Sequence, residues 1–201
     1  MPRFRRTTLL IALTTALVAL TASPASAAPV FASGFEDPQI SDGFKQYAAG
    51  EQLGAWTVAS GSVDIVTYWE HAEGQQSLDL NGSAEGAVSR TVPAQLLTTY
   101  KVTYAVAGNP EGGPTVKSGK VSINGQQVDA FSFSIAGKSI YNMGWVYRSF
   151  YFTNLLSASS VLQFSSTSPS IWGPALDDVK VESCLLIFCP ASASTVNRIQ
   201  S

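Results

Sequence analysis

Two acidic pairs stand near opposite ends of the chain: Glu36-Asp37 follows an early apolar run, and Asp177-Asp178 opens the last one. If the first and last strands are neighbours, their hard carboxylate oxygens suit a calcium ion, with Glu36, Asp177 and Asp178 as ligands. Two solvated acidic turns are the alternative. A second group of chemistry-bearing side chains is Tyr68-Trp69-Glu70-His71, with Trp172 far along the chain. Aromatic faces exposed in turns can stack on the C–H faces of sugar rings while polar groups at the rim fix the hydroxyls. Tyr68, Trp69 and Trp172 are therefore candidate stacking residues, with His71 and Asn109 as candidate polar contacts. Trp56 and Trp145 adjoin strand-like runs and read as core.

Nucleophilic and metal-dependent hydrolysis find little support. The chain has no G-x-S-x-G elbow, no H-E-x-x-H and no phosphate-cradling glycine loop, and its single histidine is His71. A glycosidase needs only two placed carboxylates, and acids are too common on surfaces to count for or against one. The expectation is a domain that binds and does not catalyse. Cys184 and Cys189 are the only cysteines; in an oxidising compartment they can close a small disulfide loop, the alternative being two reduced thiols in a loose tail.

The N-terminal segment carries Arg3, Arg5 and Arg6, then an apolar run from Leu9 to Leu20, then Ala25-Ser26-Ala27. This is the layout of a secretory signal peptide over residues 1–27, too short in its apolar part to span a bilayer. Export would deliver one extracellular domain over residues 28–183 and a tail over residues 184–201. No further apolar stretch predicts a membrane span. Residues 28–201 hold 9 basic and 14 acidic side chains, a net of −5. Such a surface repels phosphate backbones, which excludes nucleic acid as the natural partner.

The elements that must position these groups read as strands. Helical periodicity is absent; short alternating runs are separated by Gly, Pro, Asn and Ser. In 100–107, Tyr100, Val102, Tyr104 and Val106 share one face and Lys101 and Thr103 the other, which predicts a half-buried strand. Similar runs cover 55–59, 63–68, 77–80, 87–92, 120–123, 128–134, 145–153, 161–165 and 175–182, and Asn124-Gly125 predicts a tight hairpin turn. About ten strands in one domain predict an all-β jelly-roll sandwich, with a closed barrel as the second architecture.

Six motifs in order carry a resemblance. They are Gly34-Phe35-Glu36-Asp37-Pro38, Gly54-Ala55-Trp56-Thr57-Val58 with Ser60-Gly61-Ser62-Val63-Asp64, Gly74 to Gly82, Ala107-Gly108-Asn109-Pro110, Asn142-Met143-Gly144-Trp145, and Gly173 to Val179. The series resembles the choice-of-anchor C proteins and, through them, the plant cell-wall proteins of the domain of unknown function 642. The resemblance covers about 30–181. It implies a galactose-binding-like jelly roll that is secreted, non-catalytic and associated with cell-wall or other extracellular polysaccharide. It also implies a structural calcium between the early Phe35-Glu36 and the late Asp177-Asp178-Val179. The C-terminal surface anchor usual in that family has no counterpart in 184–201. An envelope or matrix protein that recognises a cell-wall protein is the alternative function.

Overall fold

The computed structural model describes residues 29–155, 157–184 and 189. The expected leader, 1–27, and the tail segment 190–201 lie outside the described residues. No helix occurs among the described residues, so none is long and apolar enough to cross a membrane. Thirteen strands follow in chain order: β1 (Pro29–Ser33), β2 (Phe44–Ala48), β3 (Gln52–Leu53), β4 (Trp56–Ser60), β5 (Ser62–Val66), β6 (Ser77–Asp79), β7 (Ala87–Pro93), β8 (Thr98–Gly108), β9 (Val116–Ile123), β10 (Gln126–Ser134), β11 (Val146–Asn154), β12 (Ser159–Ser166) and β13 (Pro174–Ser183).

All pairings are antiparallel, and they form two separate sheets. The larger runs β11-β8-β13-β6-β5-β2, and the smaller β10-β9-β12-β7-β4-β3. The architecture is therefore a jelly-roll sandwich and not a closed barrel. β9 and β10 are joined by Asn124 and Gly125, both at positive φ (52° and 81°), the hairpin turn that this dipeptide predicts.

β13 organises one end of the larger sheet. Its first residues, Ala175 and Leu176, pair with β6, whereas Val179 to Glu182 pair with β1 on the same side. The ladder to β8 shifts register between Asp177 and Lys180, where Asp178 takes a φ of 44°. A bulge of this kind re-aims side chains, here both members of the late acidic pair. The first and last strands are neighbours, as the calcium expectation required.

Between the sheets lies an aromatic core. Trp56 is buried against Phe31, Phe35 and Phe164, and Tyr104 packs edge-on against Phe131, Phe150 and Phe164. Each such ring removed from water contributes about 1.5–3 kcal/mol. β8 departs from the half-buried expectation, because its second face is covered as well: Lys101, Ala105 and Ala107 are all buried. At Ala107 the cover is a second apolar cluster of Val66, Trp69, Ala107, Phe133, Met143 and Ala175, against which Tyr68 and Trp145 pack. Its loop members, Trp69 and Met143, lie between β5 and β6 and between β10 and β11. They leave part of the larger sheet's outer face open.

Candidate functional site

The open part of that face is a pocket of about 380 Å³. Its floor follows from strand register. Gln46 on β2 pairs with Asp64 on β5, and Asp64 pairs with Asp79 on β6, so the three form one cross-strand row. Alternation sends their neighbours Val63, Ile65 and Leu78 into the core and leaves the polar row facing outward. Phe44, Tyr68, Ile171 and Trp172 form the apolar walls, and Asn109, Glu111, Gly82 and Ser83 complete the rim. Phe44 is 61% exposed and Trp172 is 37% exposed, so both rings are free for contact.

Asp79 holds the walls together. Its Oδ1 accepts hydrogen bonds from the backbone N–H groups of Asn81 (2.9 Å) and Gly173 (3.0 Å), and its Oδ2 accepts one from Asn109 Nδ2 (2.9 Å). Asn109 in turn accepts at Oδ1 from the Glu111 N–H, and its own N–H donates to the Gly173 carbonyl. The buried Lys117 donates from Nζ to the carbonyls of Gly112 (2.6 Å) and Trp172 (2.7 Å), tying the two loops at a second point. The indole of Trp172 lies on Gly112, where a Cβ would come within 2.3 Å of the ring. Any side chain at Gly112 would therefore displace Trp172.

The electrostatics of the pocket are acidic. Burial pushes the Asp64 carboxyl up to about 6, and its buried Oδ1 has no hydrogen-bond partner. Burial also raises Asp79, to about 7, outweighing the opposing hydrogen bonds from Asn109, Asn81 and Gly173. Tyr68 donates its hydroxyl to Glu111 Oε2, and its pKa is pushed up by burial, by that bond and by the charges of Glu111, Asp79 and Asp64. Lys117 is lowered by burial and held up by Asp79.

Of the five expected ligand-binding residues, Tyr68, Asn109 and Trp172 line this pocket. Trp69 does not. It is 3% exposed, belongs to the second apolar cluster and donates from Nε1 to Ser77 Oγ (2.6 Å), so it supports the wall instead of stacking on a ligand. His71 lies elsewhere, in a polar recess of about 410 Å³ with Gln39, Asp42, Thr67 and Gln76. Burial lowers its pKa, and its Nδ1 is 3.5 Å from Ser77 Oγ. Trp56 is core, as expected, and Trp145 packs on the second cluster and donates to the Glu70 carbonyl.

Sequence reasoning passes over Phe44, Gln46, Asp64, Asp79 and Glu111. A signal for two of them exists: Val63-Asp64-Ile65-Val66 and Leu78-Asp79-Leu80 each place one acid among aliphatic residues of a short strand. A strand with one face in the core must send that acid to the other face, where it is half-covered and costly unless used.

The three expected calcium ligands take a different arrangement. Glu36 Oε1 accepts from the N–H groups of Gln75 and Gln76. Asp177 Oδ2 accepts from those of Ala72 and Glu73, and its Oδ1 from that of Asp178. Asp178 pairs with Lys180 (2.8 Å) and accepts from the Tyr147 hydroxyl. These carboxylates pin the 72–76 loop and the bulge of β13, and no group of three or more His, Cys, Asp or Glu side chains is gathered for a metal ion among the described residues. As arranged, they do not fit a calcium shell. Cys184 and Cys189 form a disulfide, as their spacing suggested, with Cα atoms 4.3 Å apart.

The same architecture is found in solved structures. The chain is similar to the C-terminal family 22 carbohydrate-binding module of Clostridium thermocellum Xyn10B, with a TM-score of 0.53 and 13% identity over 79% of this chain and 96% of that one. It is also similar to the CBM22-1 xylan-binding domain of Paenibacillus barcinonensis Xyn10C, with a TM-score of 0.51 and 16% identity over 79% and 96% of the two chains. At these identities the likeness is one of fold. In sequence, 148 residues are 30% identical to halomucin of Haloquadratum walsbyi (strain DSM 16790 / HBSQ001), a stretch that makes up 71% of this chain and 2% of that protein. Residues 31–182 match the family model described as protein of unknown function, DUF642. With most of its length inside that match, the chain belongs to the DUF642 family.

Proposed function

We propose that this chain is a secreted, non-catalytic domain that binds polysaccharide, of the cell wall or of another extracellular matrix, in the pocket on the outer face of the larger sheet. One observation carries the reading: Phe44, Tyr68 and Trp172 wall a pocket of about 380 Å³ over the polar row Gln46, Asp64 and Asp79. Aromatic faces with a few convergent polar groups are what a sugar ring requires. The fold-level similarity to a xylan-binding domain supports the same reading.

Binding is favoured over hydrolysis because the two floor carboxylates are not equivalent partners. A glycosidase uses both members of such a pair, one of them delivering a proton. Both oxygens of Asp79 are taken up by Asn109, Asn81 and Gly173, and Glu111 at the rim is engaged by the Tyr68 hydroxyl, so neither is a wholly free second carboxylate for Asp64. Export through the 1–27 segment and the Cys184–Cys189 disulfide are consistent with an oxidising, extracellular site of action.

The test is affinity electrophoresis and calorimetry of the purified protein against xylan, cellulose, chitin, pectin-like and peptidoglycan preparations. At least one should retard the protein, and Trp172→Ala should weaken that binding about tenfold, or about 1.4 kcal/mol, while leaving the melting temperature nearly unchanged. Indifference of the protein to every preparation would end the carbohydrate reading and favour a protein partner of the envelope.

A further inference from the structure

We propose that the pocket selects cationic sugars, free-amine hexosamine units whose ammonium group pairs with Asp64, over neutral and anionic sugars. This rests on the reading of the pocket as a sugar site and adds the class of sugar. Three acids, Asp64, Asp79 and Glu111, line the pocket, and among the described residues no Lys, Arg or His does. The charges around Asp64 can be followed element by element. β2 presents the neutral Gln46, while its Lys45 places Nζ 4.8 Å above the ring of Tyr47 and is not among the lining residues. β6 presents Asp79, and the loops present Tyr68, Glu111, Gly82 and Ser83. Lys117, behind the wall, is committed to the Gly112 and Trp172 carbonyls and acts on Asp79.

Asp64 is thus a carboxylate without a counter-ion among the described residues. Its Oδ1 is buried without a donor, beside Gly82, where a Cβ would lie 2.9 Å from it, so a ligand meets the half-buried carboxylate from the pocket side and acts on that oxygen through the shared charge. Such a group is held in its charged form only at a cost, which a ligand supplying both positive charge and N–H donors relieves. A hydroxyl supplies a donor and no charge, and a uronate adds a further negative group to an already acidic pocket.

The experiment is calorimetry of the intact protein with three soluble probes: oligomers of glucosamine, of N-acetylglucosamine and of galacturonate. At about pH 6.5 the free-amine oligomer should bind about tenfold or more tighter than the acetylated one, and the galacturonate oligomer most weakly. Affinity for the free-amine probe should rise from about pH 5 as Asp64 ionises and fall above about pH 7.5 as the sugar amine loses its proton. Asp64→Asn should abolish the preference while keeping the weaker binding of the acetylated oligomer, which also reports that the variant is folded. Glu111→Gln, more peripheral, should reduce the preference less. Equal or tighter binding of the acetylated probe, or tightest binding of galacturonate, overturns the selectivity and leaves a sugar site in place. Failure of all three probes and of the plain polysaccharides overturns both readings.

Discussion

Asp79 is the point at which fold and site can be separated by a single exchange. In Asp79→Asn the amide oxygen can still accept from Asn81 and Gly173, but the new NH₂ group faces Asn109 Nδ2, donor against donor, at a site where Asp79 is 2% and Asn109 5% exposed. Loss of one hydrogen bond to a charged group costs about 1.5–3 kcal/mol, and a buried donor left unpaired adds to it. Part of this is offset because burial has already pushed the Asp79 carboxyl up to about 7, so removing the charge relieves desolvation. A net loss of about 1–3 kcal/mol is expected, and at roughly 2–4 °C per kcal/mol for a domain of this size the melting temperature should fall by about 2–12 °C. The reciprocal Asn109→Asp should also destabilise, by setting two carboxylates face to face. The double variant restores one donor opposite one acceptor, and the carboxylate then standing at position 109 can still accept from the Glu111 N–H, as the Asn109 amide oxygen does. Thermal melts of the four proteins form a double-mutant cycle, with an expected favourable coupling of about 1 kcal/mol or more. Losses that simply add would refute the assignment of Asp79 and Asn109 as the clasp of the pocket.

Other substitutions read out the remaining assignments. Trp69→Ala should cost about 3–5 kcal/mol in a denaturant melt, as for a buried ring, where a surface stacking residue would cost almost none. Gly82→Ala places a methyl group within 3 Å of Asp64 Oδ1 and of the buried Ser62 Oγ; it should lower sugar affinity in calorimetry and cost about 1–3 kcal/mol of stability by overpacking, and unchanged affinity would move the ligand elsewhere. Asp64, Asp79 and Asp177 have folded pKa values of about 6, 7 and 7, above the ordinary 3.8. The folded state therefore binds these protons more tightly than the unfolded one, and the stability they confer is full below about pH 4 and lost as pH rises through 6 to 7. His71, lowered by burial, acts in the opposite sense as pH falls through its folded value. A scan of melting temperature should rise from about pH 7.5 to 5, and a monotonic fall over that window would refute the shifts. Chelator and added calcium should both leave the melt unchanged if the hydrogen-bonded arrangement of Glu36, Asp177 and Asp178 is the resting one, whereas a calcium-dependent gain abolished by Asp178→Asn would reinstate them as ligands.

What the sequence makes legible follows from how local each signal is. Alternation is local, so ten strands and the Asn124-Gly125 turn can be read directly, and the sandwich follows from their number. β2 has no comparable signal: Phe44-Lys45-Gln46-Tyr47-Ala48 is short, and its Phe44 faces the pocket instead of the core. Without β2, the outer wall of the site and the partner of Asp64 stay hidden. Burial of a loop residue is a property of distant chain. Tyr68 and Trp69 are adjacent and look alike in sequence, yet Trp69 is covered by a cluster that includes Phe133 and Met143, while Tyr68 reaches Glu111 and the pocket. β8 carries the same lesson, because Ala107 reads as a small neutral residue until Trp69 and Met143 gather it into the second apolar cluster.

The acidic residues divide along the same line. Glu36, Asp177 and Asp178 are conspicuous because they occur in acidic pairs, one just after β1 and one at the bulge of β13, and there they are consumed by backbone N–H groups and by Lys180. Asp64 and Asp79 are inconspicuous because each is single and flanked by aliphatics. That flanking is what fixes their position: a strand whose other residues must enter the core cannot turn an acid inward, so register alone sets the two side by side on the outer face. A carboxylate placed by such a constraint, without a counter-ion among the described residues, is retained at a cost to stability that a ligand can repay, and for that reason the outer face of the larger sheet is where sugar binding should be sought first.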